Sequence, residues 1–226
     1  DIKTAGFLRF SPHQKHRKIH KIQQWYAWFF YCLMTISWIT AKDFRQLKNY
    51  SKNPLFVKQN KSKRFLWTDL IVSKILYYAA FLIIPLILIP VTWYWVVLSF
   101  LLMHFVGGFT LTIIFQTAHV MPTSEFPVPN NEGNIENSWA MHQLMTTTDY
   151  APKSRLFTWL VGGLNFQVVH HLFPTISHVH YKNLSDIVKQ TAKKYQLPYH
   201  VQSSFLQALK SHYIMLKNLG RNVSAA

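Results

Sequence analysis

The stretch of sequence that decides the fold runs from Leu70 to Ile89 and reads LIVSKILYYAAFLIIPLILI. Its 20 residues carry a single charge, on Lys74, and about 20 apolar residues in a helix cross the hydrocarbon core of a bilayer. A second apolar run of 24 residues extends from Thr92 to Phe115 and opens with three aromatic side chains, which membrane interfaces favour. Because only two residues separate the runs, they predict an antiparallel transmembrane helical hairpin.

Basic residues crowd both sides of this hairpin. The chain has 24 Lys and Arg against 8 Asp and Glu, a formal net charge of +16, while half of its residues are hydrophobic. Basic residues that directly flank apolar runs are typical of anchoring to anionic lipid, and this placement argues against a nucleic-acid partner. The positive-inside rule puts residues 42–74 in the cytoplasm, so that the chain returns to the cytoplasmic side at His119. Lys74 is expected to snorkel to the headgroups.

An aromatic run at residues 25–41 has two interpretations. It is at the short limit for a membrane span, and a span here would put residues 1–24 on the opposite side from His119. Its dense aromatic side chains also suit a helix lying in the plane of the interface, which we favour. With the hairpin at residues 70–89 and 92–115 and a cytosolic helical cap at 116–226, the predicted fold class is an all-α integral membrane protein.

Within the cap, the sequence predicts a helix that Asn137 or Ser138 caps and another that ends at Pro174. The remaining tail is amphipathic. Two sets of residues are each predicted to share one helical face: Leu184, Ile187, Val188 and Thr191, and Phe205, Leu209, Tyr213 and Leu216.

The most informative residues for chemistry form the string Gln167-Val168-Val169-His170-His171-Leu172-Phe173-Pro174. On a helix, Gln167 lies three and four residues before the two histidines, so all three side chains can face one site. Imidazoles suit iron, copper and zinc, and a glutamine oxygen is a weaker neutral ligand. A pair of histidines is usually a polar surface feature, but its position shortly after a membrane hairpin favours a metal site.

This string resembles the third histidine box of the membrane fatty acid desaturases, and its glutamine is similar to the subgroup called front-end desaturases. The stretches Trp139–Asp149 and His178–Tyr181 are also similar to that family, so the resemblance covers most of the chain. It implies a di-iron centre with ligands from three histidine boxes and from one histidine after the last spanning helix, which maps onto His119.

The resemblance therefore implies four metal ligands here: His119, Gln167, His170 and His171. Gln116 lies three residues before His119 on the same helical face. Four further residues are candidates to line or support the site: His142, Gln143, Asp149 and His180. Asp149 is a candidate acceptor for a hydrogen bond from a ligand imidazole, which would orient the ring.

The first two histidine boxes of the family are absent from this sequence. His13, His16 and His20 have a box-like spacing, but the cations around them would repel a metal ion, so we expect a solvated basic segment. Because the chain opens on Asp1 rather than Met, the missing boxes are expected upstream. This chain alone is not expected to assemble two irons.

The resemblance implies O2-dependent desaturation of a fatty acyl chain, bound to CoA or esterified in lipid, with electrons from a small electron-transfer protein. Lys153 and Arg155 are candidates for docking an acidic carrier or the CoA phosphates. Two alternatives stay open: an acyl hydroxylase of the same family, and a non-catalytic membrane scaffold. The chain has no Walker loop, Cys-x-x-Cys pair or Gly-x-Ser-x-Gly elbow, so nothing favours phosphoryl transfer, structural zinc or hydrolysis.

His104 is a separate polar residue within the second apolar run. It lies 15 residues before His119, about 22 Å along a continuous helix, and so cannot share its metal site. We expect His104 to form a hydrogen bond between helices. Gly107 and Gly108 are expected to allow close helix packing.

Overall fold

A computed structural model describes residues 6–52 and 62–222 of the chain. The chain divides into two compact units, one formed by Asp1–Trp28 with Ile113–Ala226 and the other by Phe29–Thr112. The Asn53-Pro54 pair, which interrupts the basic stretch at residues 42–65, lies outside the described residues.

Both predicted apolar runs are helices. The first comprises α4 (Lys63–Tyr78), a π-helical turn (Ala79–Ile83) and α5 (Ile84–Leu88), which together form a 26-residue helix long and apolar enough to cross a membrane. The second is α6 (Trp93–His119), with 27 residues. Helix α6 continues four residues beyond the predicted end at Phe115, so His119 is its last residue rather than a residue beyond it.

The aromatic run belongs to a longer helical segment. It comprises α1 (Gln23–Cys32), α2 (Met34–Ser37), a π-helical turn (Trp38–Lys42) and α3 (Asp43–Tyr50). Within the unit Phe29–Thr112, Lys74 forms an ion pair of 2.5 Å with Asp43 and donates a hydrogen bond to the Trp38 carbonyl. A neighbouring helix thus supplies a carboxylate that neutralises Lys74, and its expected approach to the headgroups stays a prediction.

His104 joins three helices of the same unit, as predicted. Its Nδ1 lies 3.1 Å from the Thr35 hydroxyl and its Nε2 lies 2.9 Å from the Tyr77 hydroxyl. Gly108 packs so closely that a Cβ there would lie 2.5 Å from the Cys32 carbonyl oxygen, whereas a Cβ at Gly107 would meet no atom within 4 Å. Close packing is thus confirmed for Gly108 and does not involve Gly107.

The other unit contains five further helices and two strands among its described residues. They are α7 (Trp139–Thr146), β1 (Thr148–Tyr150), α8 (Arg155–Leu160), α9 (Gln167–Leu172), α10 (Tyr181–Lys194), β2 (His200–Gln202) and α11 (Phe205–Arg221). The strands pair in parallel with Thr148 opposite His200. The prediction of an all-α protein holds except for this pair, whose three-residue strands are too short to show an alternating pattern.

Among the described residues of this unit, two apolar clusters are buried. One surrounds the end of α6, where Ala118 and Met121 pack with Tyr150 and Ala208, and the Tyr150 hydroxyl donates to the Ile114 carbonyl at 2.8 Å. The other joins α9 to α10 through Phe166, Val169 and Tyr181. Together they fix both helices that carry the predicted metal ligands.

The expected solvated segment holds for His13, which is exposed, and is wrong for His20, which is buried. His20 is buried and its Nε2 lies 3.0 Å from the Gly6 carbonyl oxygen. His16 Nε2 lies 2.7 Å from the Gly220 carbonyl oxygen, and His13 Nε2 lies 2.9 Å from that of Phe126. These rings pair with backbone carbonyls, including one at the C-terminal end of α11, where orphan carbonyls need donors.

Candidate metal centre

Helix α9 presents the glutamine and the histidine pair. It begins at Gln167 and ends at Leu172, two residues before Pro174, which cannot continue a helix. The Gln167 side chain is fully buried, and His170 and His171 are partly buried one turn further on. The structure therefore confirms that these three residues lie on one helix.

His119 and His171 meet in the unit formed by Asp1–Trp28 and Ile113–Ala226. Their Nε2 atoms are 3.2 Å apart and their rings are nearly perpendicular, at 87°. Two nitrogens that bind one ion at about 2.1 Å in adjacent positions lie about 3 Å apart. The separation in this structure therefore fits two imidazole ligands of one metal ion, and it brings together residues that are 52 positions apart in sequence.

Several buried polar side-chain atoms on α6, α7 and α9 have no hydrogen-bond partner. They are Gln167 Oε1 and Nε2, Gln116 Oε1 and His142 Nδ1. Most buried polar side-chain atoms in proteins have a partner, so the unpartnered Gln116 and Gln167 atoms, on the helices of His119 and His171, fit the chemistry of metal donors. Gln116 lies one turn before His119, and Gln167 lies one turn before His171.

His170 has its ring orientation fixed by α10. Its Nδ1 lies 3.2 Å from the hydroxyl of buried Tyr181, which leaves Nε2 available to a metal. Burial lowers the pKa of His170, and burial next to His119 and His170 lowers the pKa of His171 to about 4. Both rings are therefore neutral near pH 7, the form that binds metal ions.

Asp149 contacts the first turn of α9. Its buried carboxylate accepts hydrogen bonds from the Val168 N–H at 2.9 Å, the Tyr199 hydroxyl at 2.5 Å and the Ser185 hydroxyl at 3.3 Å. Asp149 thus binds the first turn of α9 rather than a ligand imidazole, which corrects the expected role. Burial raises the pKa of Asp149 to about 6 despite these three donors.

Sequence reasoning missed Tyr199 and Ser185, because only the tertiary fold brings them to Asp149. Two predicted site residues are not drawn into these contacts: Gln143 is half-buried on α7, and His180 is exposed just before α10. Across residues 6–52 and 62–222, no group of three or more His, Cys, Asp or Glu lies close enough to hold a metal ion. The described residues fit part of a metal centre.

Comparison with known proteins finds fatty acid desaturases that are similar to this chain along nearly its whole length. The chain is 33% identical to the sn-1 linoleoyl-lipid 6-desaturase of Arthrospira platensis, over 98% of this chain and 60% of that protein. It is 34% identical to the acyl-lipid (8-3)-desaturase of Mortierella alpina and 33% identical to the Delta(5) fatty acid desaturase A of Dictyostelium discoideum. Those two alignments cover 94% and 96% of this chain but 47% of each relative.

The chain therefore spans about half to three fifths of the length of these relatives. No solved structure matches it. The profile of the family described as fatty acid desaturase matches residues 1–203, which is most of the chain. With relatives above 30% identity along nearly its whole length, the chain belongs to the fatty acid desaturase family.

Proposed function

We propose that this chain forms one side of a histidine-ligated di-iron centre in an enzyme that desaturates a fatty acyl chain with O2. The observation that carries the proposal is the 3.2 Å approach of His119 Nε2 and His171 Nε2. The fully buried Gln167, whose amide atoms have no partner, supports it. The rest of the protein would supply the remaining ligands.

Four residues would hold iron in this proposal: His119, Gln167, His170 and His171. When bound, the metal supplies the oxidation of an unactivated methylene group, chemistry that no side chain performs at neutral pH. This chain would keep the imidazole rings neutral and orient their nitrogen atoms toward the metal. Tyr181 holds the His170 ring from one side, and Asp149 holds the start of the same helix.

Two observations indicate the class of substrate: the position of His119 at the end of a candidate membrane span, and the names of the relatives. His119 is the last residue of a helix long enough to cross a bilayer, so an acyl tail can remain in lipid while its polar head stays in water. Two of the three relatives are named as acting on linoleoyl-lipid or acyl-lipid, which favours a lipid-esterified chain over acyl-CoA. The electrons would come from a small electron-transfer protein.

The proposed topology is a multi-pass membrane protein with the metal centre on the cytoplasmic side. The basic residues that precede α4 and the return of the chain through α6 support this orientation. In the unit Phe29–Thr112, the segment that contains the aromatic run contacts α6 through Thr35 and α4 through Asp43. These contacts are compatible with either interpretation of residues 25–41. We propose the in-plane arrangement because the dense aromatic side chains of this run suit the membrane interface.

The test compares His119→Ala and His171→Ala in the complete protein that contains this chain. Iron content is measured by elemental mass spectrometry, and acyl products are measured by gas chromatography and mass spectrometry. We expect both variants to lose iron and to lose roughly 100-fold or more of the desaturation rate. His13→Ala is the matched control, since His13 is exposed and its ring contacts only the Phe126 carbonyl among the hydrogen bonds described.

Three results would count against the proposal. Normal iron content and turnover in both variants would remove these histidines from the centre. A wild-type protein without iron would favour a membrane scaffold. Products that carry a hydroxyl group instead of a double bond would favour a hydroxylase, since both reactions begin by abstracting hydrogen.

A further inference from the structure

Helix α8 displays an unusually exposed apolar face. Leu156, Trp159 and Leu160 are 67%, 76% and 65% exposed, and their spacing puts all three on one side of the helix. The helix is well defined: the Ser154 hydroxyl accepts from the Phe157 N–H at 3.3 Å, and the Gly163 N–H closes the other end on the Thr158 carbonyl at 2.8 Å. The apolar face is therefore held in place rather than carried on a frayed loop.

The opposite face of α8 packs beside the end of a predicted membrane span. Phe157 stacks on Phe205 with ring centroids 4.8 Å apart and packs on the cluster that contains Ala118 and Met121. Ala118 is in the last turn of α6, which is long and apolar enough to cross a bilayer. A residue at the end of such a helix lies near the headgroups, so α8 lies at the same depth.

The charges around this face match a lipid surface. Lys153 and Arg155 are exposed and precede Leu156 directly, and Leu206, next to Phe205, adds a further side chain that is 76% exposed. Tryptophan and leucine beside basic residues are typical of helices that lie in the headgroup region of anionic membranes.

We propose that α8 inserts Leu156, Trp159 and Leu160 into the bilayer interface, with Lys153 and Arg155 on anionic headgroups. The contact is a second membrane attachment, made after the chain has left α6. Because α8 precedes α9 by a short turn through Gly162 and Gly163, it would hold the helix of the histidine pair at a fixed height above the bilayer. The inference is independent of the catalytic proposal.

Spin labels measure this directly. Trp159→Cys is labelled in the complete protein, after Cys32 and any cysteine outside this chain have been replaced by serine, and the protein is reconstituted in nanodiscs. Val128→Cys is the matched control, since Val128 is apolar and 58% exposed but lies in a loop with three glutamates. Power saturation then compares collisions of each label with O2, which partitions into lipid, and with a water-soluble nickel chelate.

We expect the ratio of O2 to nickel accessibility to be several-fold higher at position 159 than at position 128. A label at 159 that nickel reaches as readily as at 128 would overturn the proposal, and would leave the face free for a soluble electron carrier. A label that neither reagent reaches would also overturn it, because another part of the protein would then cover α8.

A second variant tests the contribution of the two basic residues separately from that of the apolar side chains. The double charge reversal Lys153→Glu with Arg155→Glu is made in the Trp159→Cys background, and the nanodiscs contain phosphatidylcholine with or without phosphatidylserine. We expect phosphatidylserine to raise the ratio of O2 to nickel accessibility at position 159 only when both basic residues are present. An equal effect of phosphatidylserine with and without the basic residues would show that they do not bind headgroups.

Discussion

At the scale of single residues, the most consequential side chain outside the ligands is Asp149. Its carboxylate binds the first turn of α9 and is itself held by Tyr199 and Ser185. Negative charge at a helix N-terminus is stabilising. Asp149 therefore couples the helix of the histidine pair to α10 and to the segment before β2.

Replacing Asp149 by alanine is expected to release α9. The change leaves the buried Val168 N–H without an acceptor, at a cost of about 1–3 kcal/mol. The Tyr199 and Ser185 hydroxyls also lose the carboxylate but still contact each other at 2.9 Å. We expect a lower midpoint of thermal unfolding and a loss of bound iron from the complete protein. Tyr199→Phe is the graded comparison, because it removes one donor and leaves the carboxylate on α9.

The Asp149→Ala protein is expected to lose more iron and more thermal stability than the Tyr199→Phe protein. A Tyr199→Phe protein that loses as much iron as the Asp149→Ala protein would mean that the phenol, and not the contact with Val168, positions the helix. Unchanged iron content in both would remove Asp149 from any supporting role.

His212 makes stability depend on pH. Its ring is fully buried in α11, where Nδ1 donates to the Val120 carbonyl at 2.9 Å and the ring meets the edge of Trp28. Burial lowers the pKa of His212 from 6.5 to about 4. Between these values the unfolded chain binds a proton that the folded chain does not, so stability falls as the pH decreases from about 6.5 to about 4, by roughly 3 kcal/mol in total.

Unfolding midpoints in mild detergent at several pH values check this, with His212→Gln as the partner variant. The variant is expected to be less stable near neutral pH but to lose less stability on acidification, because glutamine does not titrate. The raised pKa of Asp149 gives a slope of the opposite sign between about 4 and 6, but it is the same in both proteins and cancels in the comparison. Parallel pH profiles would contradict the assignment to His212.

At the scale of secondary-structure elements, the approach of α6 to Cys32 depends on one glycine of an adjacent pair. A methyl group at Gly108 would lie 2.5 Å from the Cys32 carbonyl oxygen, which is backbone and cannot move aside cheaply, while Gly107 faces open space. We expect Gly108→Ala to destabilise the protein by about 1–3 kcal/mol. Gly107→Ala should be neutral or gain up to about 1 kcal/mol from helix propensity.

Thermal unfolding of the two variants side by side provides the measurement and the control together, because the substitution is chemically identical. Equal shifts in the unfolding midpoint would indicate that helix propensity, rather than contact with Cys32, dominates at both positions.

Elements that follow from local composition were predictable from the sequence, and elements that follow from tertiary contacts were not. The apolar runs and the cap at Ser138 were predicted because hydropathy and capping are local signals; the Ser138 hydroxyl accepts from the Met141 N–H at 3.4 Å. The face predicted for α11 contains buried Leu216 but omits His212, which is also buried, because sequence patterns count histidine as polar. On α10, Ile187 is exposed although it was grouped on one face with Leu184 and Val188.

Some residues of the candidate site could be predicted from the sequence, and others become apparent only in the folded chain. The glutamine and the histidine pair could be grouped from sequence because they lie within one helical turn and a half. The approach of His119 could only be inferred from the family resemblance, since 52 residues separate it from His171. The partners of Asp149 and the backbone contacts of His13, His16 and His20 depend on the folded chain and left no local signal.

At the scale of the whole molecule, residues on the two sides of the hairpin in sequence fold into one unit. Arg9 donates to the Leu219 carbonyl at 2.8 Å near the end of α11. His13 contacts the carbonyl of Phe126, which lies beyond α6 in sequence. Groups in contact at 2.9 Å cannot lie on opposite sides of a bilayer, so the segment before the aromatic run and the segment after α6 share one side.

We therefore predict an even number of membrane crossings between Lys18 and Val128, which the two candidate spans of the hairpin would provide without a span at residues 25–41. In the cysteine-free background, Lys18→Cys and Val128→Cys should react with a membrane-impermeant maleimide from the same side of sealed vesicles. Val91→Cys, in the turn between α5 and α6, should react only from the opposite side. If position 18 reacts together with position 91 instead, residues 25–41 cross the membrane, and the contact between His13 and Phe126 cannot exist in the native protein.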